Sequence, residues 1–346
     1  MHKSCALGID LGATDIKAAL VDRTGKILAR DTQPTRAELG PDAVIDRIVE
    51  LIERLRTGSP SLQSKGGGPK RANESEHTTH KPDIVAVGIG TPGPLSPSRG
   101  IVFKAANLPK WRNVALRDRI AERIGLPVVM ENDANAAAYG EYRRADDKSH
   151  QDLVLLTLGS GIGAGTILRG RILHGHFENA SEWGHMIVEP NGRPCPCGQL
   201  GCLERYASAG AIARTIVAQI ERGQSSSLAE RARAGEAVGR AVHANAADVA
   251  RAAQAGDALA QTVWDEACRY LAVACINIQH AVNPQSILLG GGMSAAGDFL
   301  LDPVRQHTEA MRWKLHDDHP EIALAQLGND AGTIGAALLA WDSLDT

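Results

Sequence analysis

The chain opens on an apolar run over residues 5–11 that ends in Asp10-Leu11-Gly12, followed by apolar runs over 16–21 and 27–30. β-Branched residues flanking two tight turns predict a three-stranded meander. Val44, Ile45, Ile48, Val49, Ile52 and Leu55 recur at helical spacing and predict a helix over 41–55. Residues 57–82 break the pattern: they hold Gly66-Gly67-Gly68 and many charges, with Leu62 the one large aliphatic residue. Such a stretch buries little surface and reads as a flexible surface insertion. Beyond it the pattern predicts a strand at 84–89, a helix at 114–124, a strand at 128–130 and a helix at 134–142. A second hairpin follows at 153–158 and 163–168, then helices at 207–220, 246–253 and 258–282. A strand at 287–289 and a closing helix at 333–341 complete the reading. Two α/β halves, each opening on a glycine-rich hairpin, predict an internal duplication.

Length agrees with two halves, since 346 residues accommodate two domains. The formal net charge of −3 offers no basic field for nucleic acid or a membrane surface. No apolar run reaches the roughly 20 residues of a membrane helix, and Asp10 interrupts any signal-peptide core. A cytoplasmic protein is expected. Of six cysteines, Cys195, Cys197 and Cys202 crowd into eight residues, whereas Cys5, Cys268 and Cys275 sit in apolar or helical surroundings.

Three constellations carry chemistry. The turns Asp10-Leu11-Gly12-Ala13-Thr14 and Leu158-Gly159-Ser160-Gly161-Ile162-Gly163 can bring backbone N–H groups to phosphate oxygens. Thr14 and Ser160 add hydroxyls, and Asp10 can hold Mg²⁺. A strand rather than a helix follows each turn, so neither is a dinucleotide fingerprint, and without a Gly-Lys-Ser/Thr ending neither is a Walker loop. Glu131-Asn132-Asp133-Ala134-Asn135 joins a strand to a helix, and strand C-termini in open α/β sheets face the ligand crevice. Asn and Asp also cap helices well, and both roles can coexist. A carboxylate at Asp133 can take the proton of a sugar hydroxyl attacking a γ-phosphate. His185, Cys195, Cys197 and Cys202 form H-x9-C-x-C-x4-C, which suits a closed tetrahedral, structural zinc.

Together these residues resemble the ROK family of bacterial sugar kinases and sugar-responsive repressors. The resemblance runs from Gly8 to Ala340 and includes Glu182-Trp183-Gly184-His185, the sequence from Cys195 to Glu204, and Gly290-Gly291-Gly292. It implies an α/β fold of two actin-like (ribonuclease-H-like) ATPase domains around a cleft, with a zinc loop at 185–204. The first domain is expected over 1–133, with 330–346 returning to it, and the second over 134–329. The implied activity is ATP-dependent phosphorylation of a hexose at its 6-hydroxyl, with glucose the expected substrate. Fructose, N-acetylmannosamine, N-acetylglucosamine or allose are the alternatives, and a non-catalytic sugar-sensing regulator is the further one. Segment 107–111 and the Gly90-Thr91-Pro92-Gly93-Pro94 turn look more like the family's glucokinases than its fructokinases. The family's regulators carry a helix-turn-helix before the first phosphate motif, which here begins at Asp10, so an enzyme is expected.

By the same resemblance, Asp133 is the base, and Asn107, Asn132, Glu182, His185 and Glu204 hold sugar hydroxyls with it. Asp10, Gly12, Thr14, Lys17, Gly159, Ser160, Gly161, Gly163, Gly291 and Gly292 contact the nucleotide. The implied cofactors are ATP, Mg²⁺ and structural Zn²⁺, and the implied assembly is a homo-dimer or tetramer. Ala13, Asp15, Ser160 and Ser181 depart from the commoner Gly, Asn, Thr and Gly of the family.

Overall fold

The computed structural model describes residues 4–58, 83–105, 107–144, 151–230 and 244–345. The insertion expected over 57–82 lies outside them from residue 59 onward. Two compact units emerge. One comprises Met1–Asp146, His174–Asn179 and Asp330–Thr346, the other Asp147–Leu173 and Ala180–Asn329.

In the first unit, β1 (Ser4–Leu11), β2 (Asp15–Val21) and β3 (Ile27–Pro34) form the antiparallel meander. Helix α1 (Pro41–Thr57) starts with Pro at its first position and stops at Gly58, whose left-handed backbone lets its N–H reach the Arg54 carbonyl. Then come β4 (Asp83–Thr91), the short pair β5 (Leu95–Ser96) and β6 (Ile101–Val102), α2 (Leu116–Ile124), β7 (Val128–Asn132) and α3 (Asp133–Arg144). The sheet order is β3-β2-β1-β4-β7, with β1, β4 and β7 parallel.

Strand alternation decides what each face of β1 meets. Cys5, Leu7 and Ile9 join the core that contains Ile45, Ile48 and Ile52 of α1. Each such fully buried side chain contributes roughly 1.5–3 kcal/mol relative to exposure. Gly8, on the opposite face, lies under the terminal helix Ala331–Asp342. A Cβ there would sit 1.9 Å from the Thr333 carbonyl oxygen, and one at Gly88 of β4 would sit 1.8 Å from that of Ala336. Only glycine permits this approach. The terminal helix is buried nearly all round, which explains its apolar sequence without a polar face. It also packs on α3, where a Cβ at Gly335 would lie 1.7 Å from the Ala136 carbonyl oxygen. Hence the first unit extends past residue 133, and α3 belongs to it rather than to the second unit.

The second unit holds β8 (Leu153–Leu158), β9 (Ile162–Leu168) and β10 (Arg171–Ile172), then α4 (Glu204–Ala207), α5 (Ala209–Glu221), α6 (Ala246–Gln254) and α7 (Ala258–Val282). β11 (Ser286–Gly290), α8 (Asp298–Met311) and β12 (Glu321–Leu324) follow. Its sheet order, β10-β9-β8-β11-β12, repeats the first sheet in order and in strand sense. The helix expected over 207–220 is α5, starting two residues later, and the short α4 precedes it. They part at extended Ser208, whose hydroxyl donates to the Glu204 carbonyl and accepts from the Ala211 N–H. α8 and β12 were not foreseen. Pro303 interrupts α8's pattern and cannot donate to the Phe299 carbonyl, which the Trp264 indole N–H satisfies at 3.0 Å. β12 is four residues long with one buried side chain, Ile322. Among the described residues, no helix is long and apolar enough to cross a membrane.

Candidate functional site

The candidate residues divide between the units. In the first, strand register aligns the carboxyl ends of β1, β4 and β7: Asp10 pairs with Gly90, Gly90 with Glu131 and Thr91 with Asn132. At about 4.8 Å per strand, the backbone of Asp10 is two strand spacings from that of Glu131. The turn after β1 closes with the Gly12 N–H donating to the Asp15 carbonyl at 3.0 Å. Buried Thr35 holds it from below, its hydroxyl donating to the Gly12 carbonyl at 2.7 Å. Thr14 is exposed. Lys17 Nζ lies 3.7 Å from Asp10 Oδ2. Burial pushes the Asp10 carboxyl above its ordinary value, and Lys17 opposes that shift.

Asp133 is the first residue of α3. Asn132 supplies the cap, its Oδ1 accepting from the N–H groups of Ala134 at 2.9 Å and Asn135 at 3.1 Å. Asp133 Oδ1 accepts from the Ala134 N–H at 2.8 Å. Both side chains are half-buried. Asn107 stands exposed in the turn between Ala105 and Leu108.

In the second unit the Gly159–Gly161 turn joins β8 to β9, with Ser160 exposed and Gly163 within β9 opposite Thr157. Gly291 backs the turn: a Cβ there would lie 2.7 Å from the Leu158 backbone. Gly292 is exposed beside it in sequence. A Cβ at Gly161 would sit 2.7 Å from Glu204 Oε2, so the turn and that carboxylate are in contact range. Glu204 Oε1 accepts from Cys195 Sγ at 3.1 Å. Glu182 precedes and His185 ends a short 3-10 turn held close on β9, where a Cβ at Gly184 would lie 1.9 Å from the Ile162 carbonyl oxygen. The Trp183 indole donates to Thr166 Oγ1 at 3.0 Å. Desolvation pushes the Glu182 carboxyl above its ordinary value although one side of it is exposed; His185 opposes the shift and Glu204 adds to it.

His185, Cys195, Cys197 and Cys202 offer ligand atoms all within 4.8 Å of one another. Cys195 Sγ is 3.7 Å from His185 Nδ1, and Cys197 Sγ is 3.6 Å from Cys202 Sγ. A zinc tetrahedron with Zn–S near 2.3 Å has S···S edges of roughly 3.8 Å. A disulfide needs about 2.05 Å, and these cysteines are free. The donor set and its spacing therefore fit zinc.

A model described as the ROK family matches residues 6–63 and 74–343. The chain belongs to the ROK family. The glucokinase of Halalkalibacterium halodurans is 36% identical over 336 residues, covering 96% of this chain and 94% of that protein. A putative xylose repressor of Caldicellulosiruptor sp. is 27% identical, over 96% of this chain and 77% of the repressor. Among solved structures, a ROK family glucokinase from Streptomyces griseus in complex with glucose and AMPPNP superposes with a TM-score of 0.77 at 31% identity. It covers 98% of this chain and 100% of that one.

One feature of this ROK chain lies beyond the sequence reading, and a second gives the Ser181 departure a structural consequence. Residues His174–Asn179 join the first unit, and His174 Nε2 meets Glu131 Oε2 at 2.6 Å. Glu131 is buried, and its Oε1 accepts from the Asn132 N–H at 2.8 Å and from Asn135 Nδ2 at 3.0 Å. The pair thus holds the backbone that carries Asp133, and the hydrogen bond to Glu131 raises the His174 pKa above its ordinary value. The second feature is Ser181, with φ of 71° and a buried hydroxyl lacking a hydrogen-bond partner among the described residues. Glycine, commoner there in the family, adopts that backbone without strain.

Proposed function

We propose that this chain is an ATP-dependent glucokinase, which transfers the γ-phosphoryl group of ATP to the 6-hydroxyl of glucose. The observation that carries this reading is its near end-to-end similarity to glucokinases, including one solved with glucose and AMPPNP. In the reaction, Asp133 accepts the 6-hydroxyl proton as that oxygen attacks the γ-phosphorus, and ADP departs. Its place at a helix start favours the ionised carboxylate that a base needs. Asn107, Asn132, Glu182, His185 and Glu204 hold the sugar hydroxyls. The turns containing Gly12, Thr14, Gly159, Ser160, Gly161 and Gly163 cradle phosphates through backbone N–H groups, with Lys17, Gly291 and Gly292 as further nucleotide contacts. Asp10 would hold Mg²⁺, which when bound neutralises charge on the phosphates. His185, Cys195, Cys197 and Cys202 would hold a structural zinc that orients Glu204 and His185. ATP as donor and reduced thiol ligands fit a cytoplasmic protein.

An assay of ADP release over glucose, fructose, N-acetylmannosamine, N-acetylglucosamine and allose tests the reading. Glucose is expected to give the highest kcat/KM. A different leading sugar overturns the substrate, and sugar binding without ADP release makes the chain a regulator. The same panel with polyphosphate in place of ATP tests the donor.

A further inference from the structure

A groove of about 280 Å³ in the second unit is lined by Arg193, Arg205, Arg214 and Arg222, with Pro194 and Thr215 between them. Among the described residues none of these four guanidiniums forms an ion pair. Arg205 Nε is buried and has no hydrogen-bond partner among the described residues. An unpartnered buried donor on a cation is costly unless a ligand satisfies it. Arg193 is already fixed: its Nη1 donates to the Arg205 carbonyl at 3.0 Å and to Thr215 Oγ1 at 2.9 Å, and its guanidinium lies 4.7 Å from the Tyr206 ring centre. The Arg214 guanidinium is held below its ordinary pKa, first by desolvation and then by Arg205 and Arg193, against the pull of Glu204. Four crowded cations with one unsatisfied donor describe a receptor for an anion with several charged oxygens, and arginine forks suit phosphate.

The groove adjoins the candidate sugar residues through the chain itself. Arg205 follows Glu204, and Pro194 precedes the metal ligand Cys195. We propose that this groove binds a multiply charged phosphate anion, and that its occupation raises sugar affinity by fixing the segment that carries Glu204. The coupling half rests on the glucokinase reading, and the binding half does not. A sugar phosphate and an inorganic polyphosphate share the required chemistry.

Calorimetric titration of the full chain with inorganic phosphate, glucose 6-phosphate and tripolyphosphate separates these sources, with zinc content measured after each run. The comparison protein is Arg222→Gln, changed at an exposed position after α5, with Arg222→Lys as the conservative control and thermal melts to confirm folding. At least one probe is expected to bind wild type and to lose about tenfold in Arg222→Gln, the scale of one charge-assisted hydrogen bond. Arg222→Lys is expected to retain most of that affinity. The probe that shows the loss names the source. Equal binding to wild type and Arg222→Gln, or no binding by any probe, overturns the site. Glucose is then titrated with and without the bound probe. Competition at the sugar position would affect both proteins alike, so the readout is a gain in glucose affinity present in wild type and absent in Arg222→Gln. Anion binding without that gain overturns the coupling. Anion binding by a chain that takes up no glucose overturns the glucokinase reading and leaves the anion site standing.

Discussion

In the first unit Asp10, Asn132 and Asp133 close the ends of hydrogen-bonded strands whose register is fixed residue by residue. In the second, Glu182 and His185 belong to a 3-10 turn, and Glu204 opens the one-turn helix α4 at the end of the Pro194–Glu204 stretch, where Leu203 is buried but Leu200 is 48% exposed. The first set inherits its geometry from a packed sheet covered by α1 and the terminal helix. The second set is anchored beside core side chains, Trp183, Met186 and Leu203, but the stretch from Pro194 to Gly201 between them has few large apolar residues, and four clustered metal-type donors stand there instead. Chemistry held by a sheet survives loss of a single functional group without rearrangement. Chemistry held by a metal loop does not, because one ligand positions several residues.

The sharpest test of the sheet-held half is Asp133→Asn. The amide keeps an oxygen for the Ala134 N–H, so the helix start is preserved. Loss of the proposed base is expected to lower kcat by about 10² to 10⁴, with glucose KM and the melting temperature little changed. Turnover within a few-fold of wild type would remove Asp133 from the role. A large fall in melting temperature would show that the sheet end depends on this carboxylate for its shape.

Cys197→Ser addresses the half that carries the proposed zinc ligands. Cys197 is the exposed member of the cluster, so its replacement disturbs the core least. Weakened zinc binding is expected to displace Glu204, which contacts Cys195, and His185 together. Glucose KM should rise by about 10- to 100-fold, the range for disturbed metal surroundings, while ATP KM stays near wild type. Metal analysis of both proteins accompanies the kinetics. Full activity in zinc-free wild type, or normal glucose KM in the variant, would refute metal control of the sugar residues.

The same contrast marks what the sequence made legible. The meander, the strand-to-helix position of Asp133 and the spacing of the four metal-type donors are local patterns, readable over a dozen residues. The boundary at Ser208 between α4 and α5 is also local, but its hydroxyl reads as an ordinary helix residue until its partners are known. Other features depend on distant segments. α8 hides behind Pro303, whose lost hydrogen bond is replaced by an indole 35 residues away in the chain. α3 belongs to the first unit because small residues at Ala136 and Gly335 let two backbones touch. The His174–Glu131 pair joins positions 43 apart with no motif between them.

A smaller effect is expected at Ser181, in the turn before Glu182. Its left-handed backbone costs a non-glycine residue about 1–3 kcal/mol, and its buried hydroxyl gains no partner in return. Ser181→Gly removes both costs but adds roughly 0.5–1 kcal/mol of backbone entropy. The net expectation is stabilisation of about 1 kcal/mol, or roughly 2 °C in Tm. Glucose affinity should hold or improve. A lower Tm would mean that the turn tolerates its backbone without strain.

The smallest effect concerns pH and the sheet-held half. His174 has a folded pKa above its ordinary value of 6.5, chiefly through the Glu131 hydrogen bond, with burial opposing. A cationic group whose pKa rises on folding stabilises the fold when protonated. That contribution is complete below the unfolded value near 6.5 and is lost as pH rises through the higher folded value. The imidazole is 37% exposed, so solvent screens the pair and the contribution is modest. His174→Gln should therefore differ from wild type most at pH 6 and progressively less toward pH 8. Melting temperatures of both proteins across that range give the comparison, and an NMR titration of the His174 ring gives the folded pKa directly. Glu131 Oε1 accepts from Asn132 and Asn135 independently of the imidazole, so the backbone under Asp133 should hold its shape even when His174 is neutral. A stability difference that is flat from pH 6 to 8, or one that grows with pH, would show that the imidazole acts on Glu131 as a neutral donor. In that case the ion pair adds nothing to the sheet that carries Asp133.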